Sequence, residues 1–146
     1  MVDNSPRKVV ERFIEASARG AYDELVDFYA EDVVIEIPFA PPGFPRVSDG
    51  GREEFRARTK TIEGLWTIDG IDPVRIHETA DPEVVIAEFT MHRTVTATGK
   101  PMSGDYIMVI TVRDGLIAHS RDYANPMASA VAFGRLQELV DAYESQ

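Results

Sequence analysis

Asp122 closes a run of β-type residues, Leu116 to Ala124, and Asn125-Pro126 follows it at once. If that run is an alternating strand, Asp122 shares a face with Leu116, Ala118, Ser120 and Ala124, while Ile117, His119, Arg121 and Tyr123 point the other way. The neighbours on its own face are small, which leaves room for a ligand. A carboxylate in such a place loses hydration, its pKa rises, and it becomes a proton shuttle near neutral pH. The competing reading is a solvated aspartate near a strand end, the usual state of this residue type.

His92 is the second candidate acid or base. It alternates with Glu88, Thr90, Thr94 and Thr96, a mostly polar set, against Val85, Ala87, Phe89, Met91 and Val95. Simple alternation puts it on the outer side of the sheet, and a bulge would reverse that. His77 and His119 have weaker claims. Glu88 and His92 alone do not make a metal site, and no metal is expected. Tyr29, Phe39, Trp66, Tyr106, Met91 and Met108 recur where a pocket lining would lie, although large apolar residues also fill cores by default. Arg46, after a proline-rich segment, could clamp a carboxylate or enolate or simply stand exposed. There is no GxSxG elbow, glycine-rich phosphate loop or dinucleotide fingerprint, so no cofactor is expected.

Composition narrows the classes further. The chain has 146 residues, 44% hydrophobic and 27% charged, which suits a single globular domain over residues 1–146. Without cysteine there is no thiolate nucleophile or disulfide. A net charge of −10 with no basic cluster argues against nucleic acid and anionic membranes as partners. No apolar run is long enough to span a bilayer or to act as a secretory signal, so a cytoplasmic protein is expected.

These residues need elements to hold them. Ser5-Pro6 predicts a helix start, with Val9, Val10, Phe13, Ile14 and Ser17 on one stripe and Gly20 as its stop. A short helix over Ala21–Tyr29 follows, then a strand over Asp32–Ile37 stopped by Pro38 and the Pro41-Pro42-Gly43-Phe44-Pro45 loop. A third helix after Gly51 carries Phe55, Thr59, Ile62 and Trp66 on one face. Strands over Val74–Thr79, Val84–Ala97, Ser103–Val112 and Leu116–Ala124 have short links, which predicts an antiparallel meander. A final helix runs from Asn125-Pro126 to about Tyr143. The expected class is α+β, helices covering one face of a curved antiparallel sheet and leaving a concave apolar pocket.

The segments EIPFAPPGFPRVSDGGREEFRA, TATGKP and VRDGLIAHSRDYANP together resemble the SnoaL-like branch of the nuclear-transport-factor-2-like (NTF2-like) superfamily, and RDYANP is similar to the ending of phenazine-biosynthesis small proteins. The resemblance implies a cone-shaped α+β fold, usually a homodimer with facing sheets, around an apolar cavity for a small hydrophobic ligand, with no cofactor or metal. Ketosteroid isomerases, polyketide cyclases, dehydratases, epoxide hydrolases and simple binding proteins share it. It further implies that the acidic residue before the last strand's aromatic, here Asp122 before Tyr123, is the general acid/base. Where phenazine-type proteins carry histidine and serine on the third helix, this chain has Arg58 and Ile62; Arg58 joins the candidate ligand-binding residues. The resemblance leaves open an acid–base isomerase, cyclase or lyase, a non-catalytic binder, and a dimerisation module with a vestigial pocket.

Overall fold

The computed structural model describes residues 2–146. Helix α1, Pro6–Ala18, has proline in its first turn and buries Val9, Val10, Phe13, Ile14, Ala16 and Ser17. The Ser5 backbone is extended as at a cap, yet its hydroxyl makes no capping bond. Gly20, at φ 65°, lets the chain reverse. Helix α2 is a single turn, Tyr22–Val26, shorter than the periodicity suggests. Tyr29 does not end it; the residue opens strand β1, Tyr29–Glu36.

After the proline-rich loop, β2 (Val47–Ser48) pairs with β1 and leads into α3, Gly51–Ile62. Trp66 does not continue the α3 stripe, because the chain turns at Gly64 (φ 87°) and Trp66 starts β3, Trp66–Glu78. Strands β4 (Val84–Val95), β5 (Pro101–Arg113) and β6 (Leu116–Ala124) complete the meander. The expected long terminal helix is two, α4 (Pro126–Ala132) and α5 (Leu136–Glu144), separated where Gly134 takes φ 69°. Asn125 caps α4 as its type predicts, accepting from the Met127 amide at 2.9 Å.

The six strands lie in the order β2-β1-β6-β5-β4-β3. All neighbours are antiparallel except β1 and β6, which run parallel, so the sheet is mixed where a purely antiparallel one is expected. The proline-rich loop, β2, α3 and strands β3 to β5 supply the long crossover that a parallel pair requires. Register shifts in β3 and at the β5–β6 pairing strengthen the curvature. One shift has a local consequence: Thr111 pairs with His119 and Val112 with Ile117, so Ala118 is the extra residue. Ile117 therefore turns inward and is fully buried, contrary to simple alternation. Beyond the bulge alternation is regular, and Ser120, Asp122 and Ala124 stay in phase on the inner face.

That inner face meets the helices. Val85, Ala87 and Phe89 of β4, Met108, Ile110 and Val112 of β5, and Ile117 of β6 pack with Val9, Val10, Phe13 and Ile14 of α1 in one core. A smaller cluster of Val95, Met102 and Ala132, with Trp66 and Phe133 against it, closes the other end.

Candidate active site

Asp122 lies on the helix-covered inner face, paired across the sheet with Met108, which in turn pairs with Ala87. The row Ala87–Met108–Asp122 puts an ionisable group at the end of two buried apolar residues. Residual accessible surface remains on Asp122, but protein surrounds the carboxyl and this desolvation pushes its pKa up to about 6. Opposing that rise, the buried Ser120 hydroxyl donates to Oδ1, and the charges of Arg58 and His119 favour the anion.

Tyr29 faces the same space from β1 and is 2% exposed. Burial and the Asp122 charge both drive its phenol upward, with Arg58 working against them, so it stays protonated and can only donate or accept a hydrogen bond. Its ring packs at 4.3 Å between centroids on Phe55 of α3 and edge-on at 5.7 Å to Phe13. Arg58, one turn after Phe55, lies over that ring at 5.5 Å, which keeps the guanidinium on the Tyr29–Asp122 side of the helix. Thus α3 and two strands, β1 and β6, place a raised-pKa acid, a neutral phenol and a cation together.

Other expected residues separate into two groups. Met108 is buried beside Asp122, and Met91 and Tyr106 line the inner face next to the core. Tyr106 stacks on Phe89 at 5.4 Å. Trp66 is half-buried at the far end, 6.1 Å from the Phe133 ring. By contrast, His92 is on the outer face: the β4–β5 register runs unbroken from Val84 to Thr94, so no bulge reverses it. Its ring bonds to Ser103 at 2.9 Å and to the Asp72 carboxylate at 2.9 Å, which removes it from any site with Asp122. His77 and His119 also sit outside, against Glu88 and Glu36, each at 2.6 Å. Phe39 is 58% exposed and touches Tyr123 on the outer side, and Arg46 is an exposed loop residue. Neither reaches the inner face.

Among the described residues two surface recesses stand out. One of about 370 Å³ lies on the outer face between Phe39, Ile107 and Tyr123. Another, about 570 Å³, is bounded by Pro41, Pro42, Phe44, Leu65, Phe133 and Leu139. Neither includes Asp122. The second ends on Phe133, the residue whose other side meets Trp66. Among the described residues, no three His, Asp or Glu side chains come together as a metal would require, and no helix is long and apolar enough to cross a membrane.

One functional candidate is absent from the sequence reading. Arg93 is 8% exposed on the inner face, in phase with Phe89, Met91 and Val95. The signal was available: an arginine at an inward position of an otherwise apolar alternation.

A six-stranded curved sheet covered on one face by helices, with an acid on that face, defines an NTF2-like α+β cone fold. A crystal structure of a proposed polyketide cyclase from Xanthomonas campestris shares it, at a TM-score of 0.74 and 21% identity over 89% of this chain and 98% of that one. The chain belongs to the SnoaL-like domain family, whose model matches residues 10–120. It is 35% identical over 111 residues to an uncharacterised PhzA/B-like protein of Pseudomonas aeruginosa, covering 76% of this chain and 77% of the relative. It is also similar to a proposed isomerase of Bacillus subtilis, whose crystal structure superposes with a TM-score of 0.82 at 29% identity over 89% of this chain and 93% of that one.

Proposed function

We propose that this protein is a cofactor-independent acid–base catalyst of the isomerase, cyclase or lyase kind, acting on a small hydrophobic carbonyl compound. The observation that carries this reading is Asp122, an inward-facing carboxyl held near pKa 6 by burial among apolar residues. Such a group is mostly ionised at neutral pH yet basic enough to take a proton. In the proposed step the Asp122 carboxylate removes the proton on the carbon next to the substrate carbonyl. The C–H electron pair becomes the enolate, and the proton resides on Asp122. The protonated Tyr29 phenol donates to the enolate oxygen. Returning the proton to another carbon gives an isomer; attack of the enolate carbon on a second carbonyl closes a ring.

His92 has no part in this, since it faces away. The proposed isomerase and polyketide cyclase that resemble the chain are compatible with the reading. The protein is further proposed to act as a homodimer through the outer face, where Ile107 and Phe39 are exposed.

Asp122→Asn is the test, because asparagine keeps the shape and the acceptor for Ser120. Once a substrate is found, turnover should fall by about 10²- to 10⁴-fold, the usual contribution of a positioned acid–base group, with little change in binding. Wild-type turnover by the variant would refute the mechanism.

A second reading, a non-catalytic binder or a dimerisation module, has one observation in its favour. Neither recess includes Asp122, and Phe55, Tyr29 and Met108 occupy much of the space beside it. That reading predicts ligand retention without chemical change and no effect of Asp122→Asn on turnover.

A further inference from the structure

Arg93 is a buried cation without a counter-ion. Among the described residues no carboxylate comes within ion-pair distance of it. Its Nη2 donates to Tyr106 Oη at 2.6 Å, while its Nε is enclosed with no acceptor. The guanidinium lies between two aromatic faces, 5.0 Å from the Trp66 ring and 5.6 Å from the Tyr106 ring. Cation–π contacts of this kind contribute stabilisation but do not satisfy an N–H donor. An enclosed charge without a hydrogen-bonded partner is costly, and folded proteins ordinarily pair it.

The surroundings point to what completes the pair. Tyr106 Oη accepts from Arg93, which leaves the phenolic proton free to donate. Gly104 lies beside the same place: a Cβ there would be in ordinary contact with Arg93 Nη2 at 3.5 Å and with the Tyr106 ring at 3.4 Å. Tyr22 is close enough for the Arg93 charge to bear on its hydroxyl. Glu63 also bears on Tyr22, yet it is exposed and forms no ion pair with Arg93. Arg93 and Tyr106 therefore offer donors with no acceptor between them beyond the phenol oxygen. Trp66, which carries the guanidinium on its face, lies 6.1 Å between ring centroids from Phe133, a residue that lines the 570 Å³ recess.

We infer that Arg93, with Tyr106, is the receptor for a carboxylate on the ligand, so that the compound bound on the inner face is a hydrophobic carboxylic acid rather than a neutral ketone. This rests on the inner face being a ligand site, and it specifies the substrate class of the proposed reaction. A planar guanidinium matches a carboxylate with paired donors, the phenol adds a third, and the aromatic faces hold the apolar remainder. Arg93 is thus a binding and specificity residue, separate from the base.

Two near-isosteric probes test it: 3-phenylpropanoate and the neutral methyl ketone 4-phenylbutan-2-one, titrated by calorimetry at neutral pH. The wild type should prefer the carboxylate by about tenfold or more. Arg93→Met should abolish that preference while melting no lower than the wild type, since an unpaired buried charge has been removed. Tyr106→Phe should reduce the preference severalfold. Should Arg93→Met not fold, Arg93→Lys keeps the charge, loses the paired donors and should show a weakened preference. Equal affinity of the wild type for both probes, binding of neither at low-millimolar concentration, or a preference untouched in the folded Arg93 variants would overturn the inference. The titrations need no turnover, and Asp122→Asn should retain the carboxylate preference. A failure of the catalytic reading is therefore distinguishable from a failure of this one.

Discussion

Asp122 is held between opposing influences: desolvation raises its pKa, while Ser120, Arg58 and His119 lower it. Removing Arg58 removes one brake, so Arg58→Met should move the Asp122 titration above about 6, observable by carboxyl NMR or as a shift of the acidic limb of the turnover–pH profile to higher pH. The raised pKa also has a stability signature. The folded protein binds this proton up to about pH 6, whereas an unfolded aspartate releases it near 3.8. Stability contributed by this group therefore falls as pH rises through that window, by about 3 kcal/mol if the shift is fully expressed. Asp122→Asn escapes the penalty: it should melt above the wild type at pH 8, and the difference should vanish below pH 4. A variant less stable than wild type at pH 8 would contradict the burial argument. That Asp122 shares a face with Ser120 and Ala124 was legible from alternation, because the strand beyond Ala118 is regular; that this face is the covered one was not, since a period of two does not say which side the helices take. Ile117, one residue before the bulge, was placed on the wrong face because a period of two carries across everything except an extra residue. Arg93 was legible but missed, since a pattern of apolar inward residues draws the eye past the polar exception among them.

At the scale of elements, α3 brings Phe55 and Arg58 to Asp122, and its placement depends on one close approach. Gly51 opens the helix at φ 75°, and a Cβ there would lie 2.2 Å from the Glu31 carbonyl oxygen of β1. Gly51→Ala cannot be accommodated without moving the helix, and should cost about 3 kcal/mol or more in urea unfolding. Gly134, between α4 and α5, also has positive φ (69°) but no atom within 4 Å of its added Cβ. Gly134→Ala should cost only about 1 kcal/mol, from backbone strain alone. The pair of variants separates conformational strain from collision. Element order was largely readable from periodicity and turn residues, since strand runs and helix stripes have different periods. Boundaries at Tyr29 and Trp66 were not, because both aromatics fit a helical stripe and only tertiary pairing assigns them to strands. Nothing local announced the parallel β1–β6 pairing, which depends on what the intervening chain covers.

For the whole molecule, charge is distributed unevenly. The net charge is −10, yet the inner face presents Arg58 and Arg93 alongside the carboxylate of Asp122. An anionic ligand would thus meet repulsion at long range and attraction at short range. Added salt screens the first more than the second, because a distance beyond about 10 Å is screened at 0.1 M. The association rate of 3-phenylpropanoate should therefore rise with ionic strength in stopped-flow measurements, while that of the neutral ketone stays flat. A carboxylate rate that falls with salt would mean that the basic face dominates the field even at long range.

The parallel ladder has a temporal meaning as well. Tyr29 pairs with Ile117, and Ile35 with Ser120, so the phenol and the acid are drawn from opposite ends of the meander. Hairpins β3–β4–β5–β6 can zip locally, each turn closing a short loop, but β1 can dock only when β6 exists to receive it. During synthesis the N-terminal third must therefore wait beside an incomplete sheet until residue 121 has emerged. The proposed catalytic constellation therefore cannot assemble before β6 is made, and the edge of β1 that β6 will cover is the segment that needs shielding in the meantime.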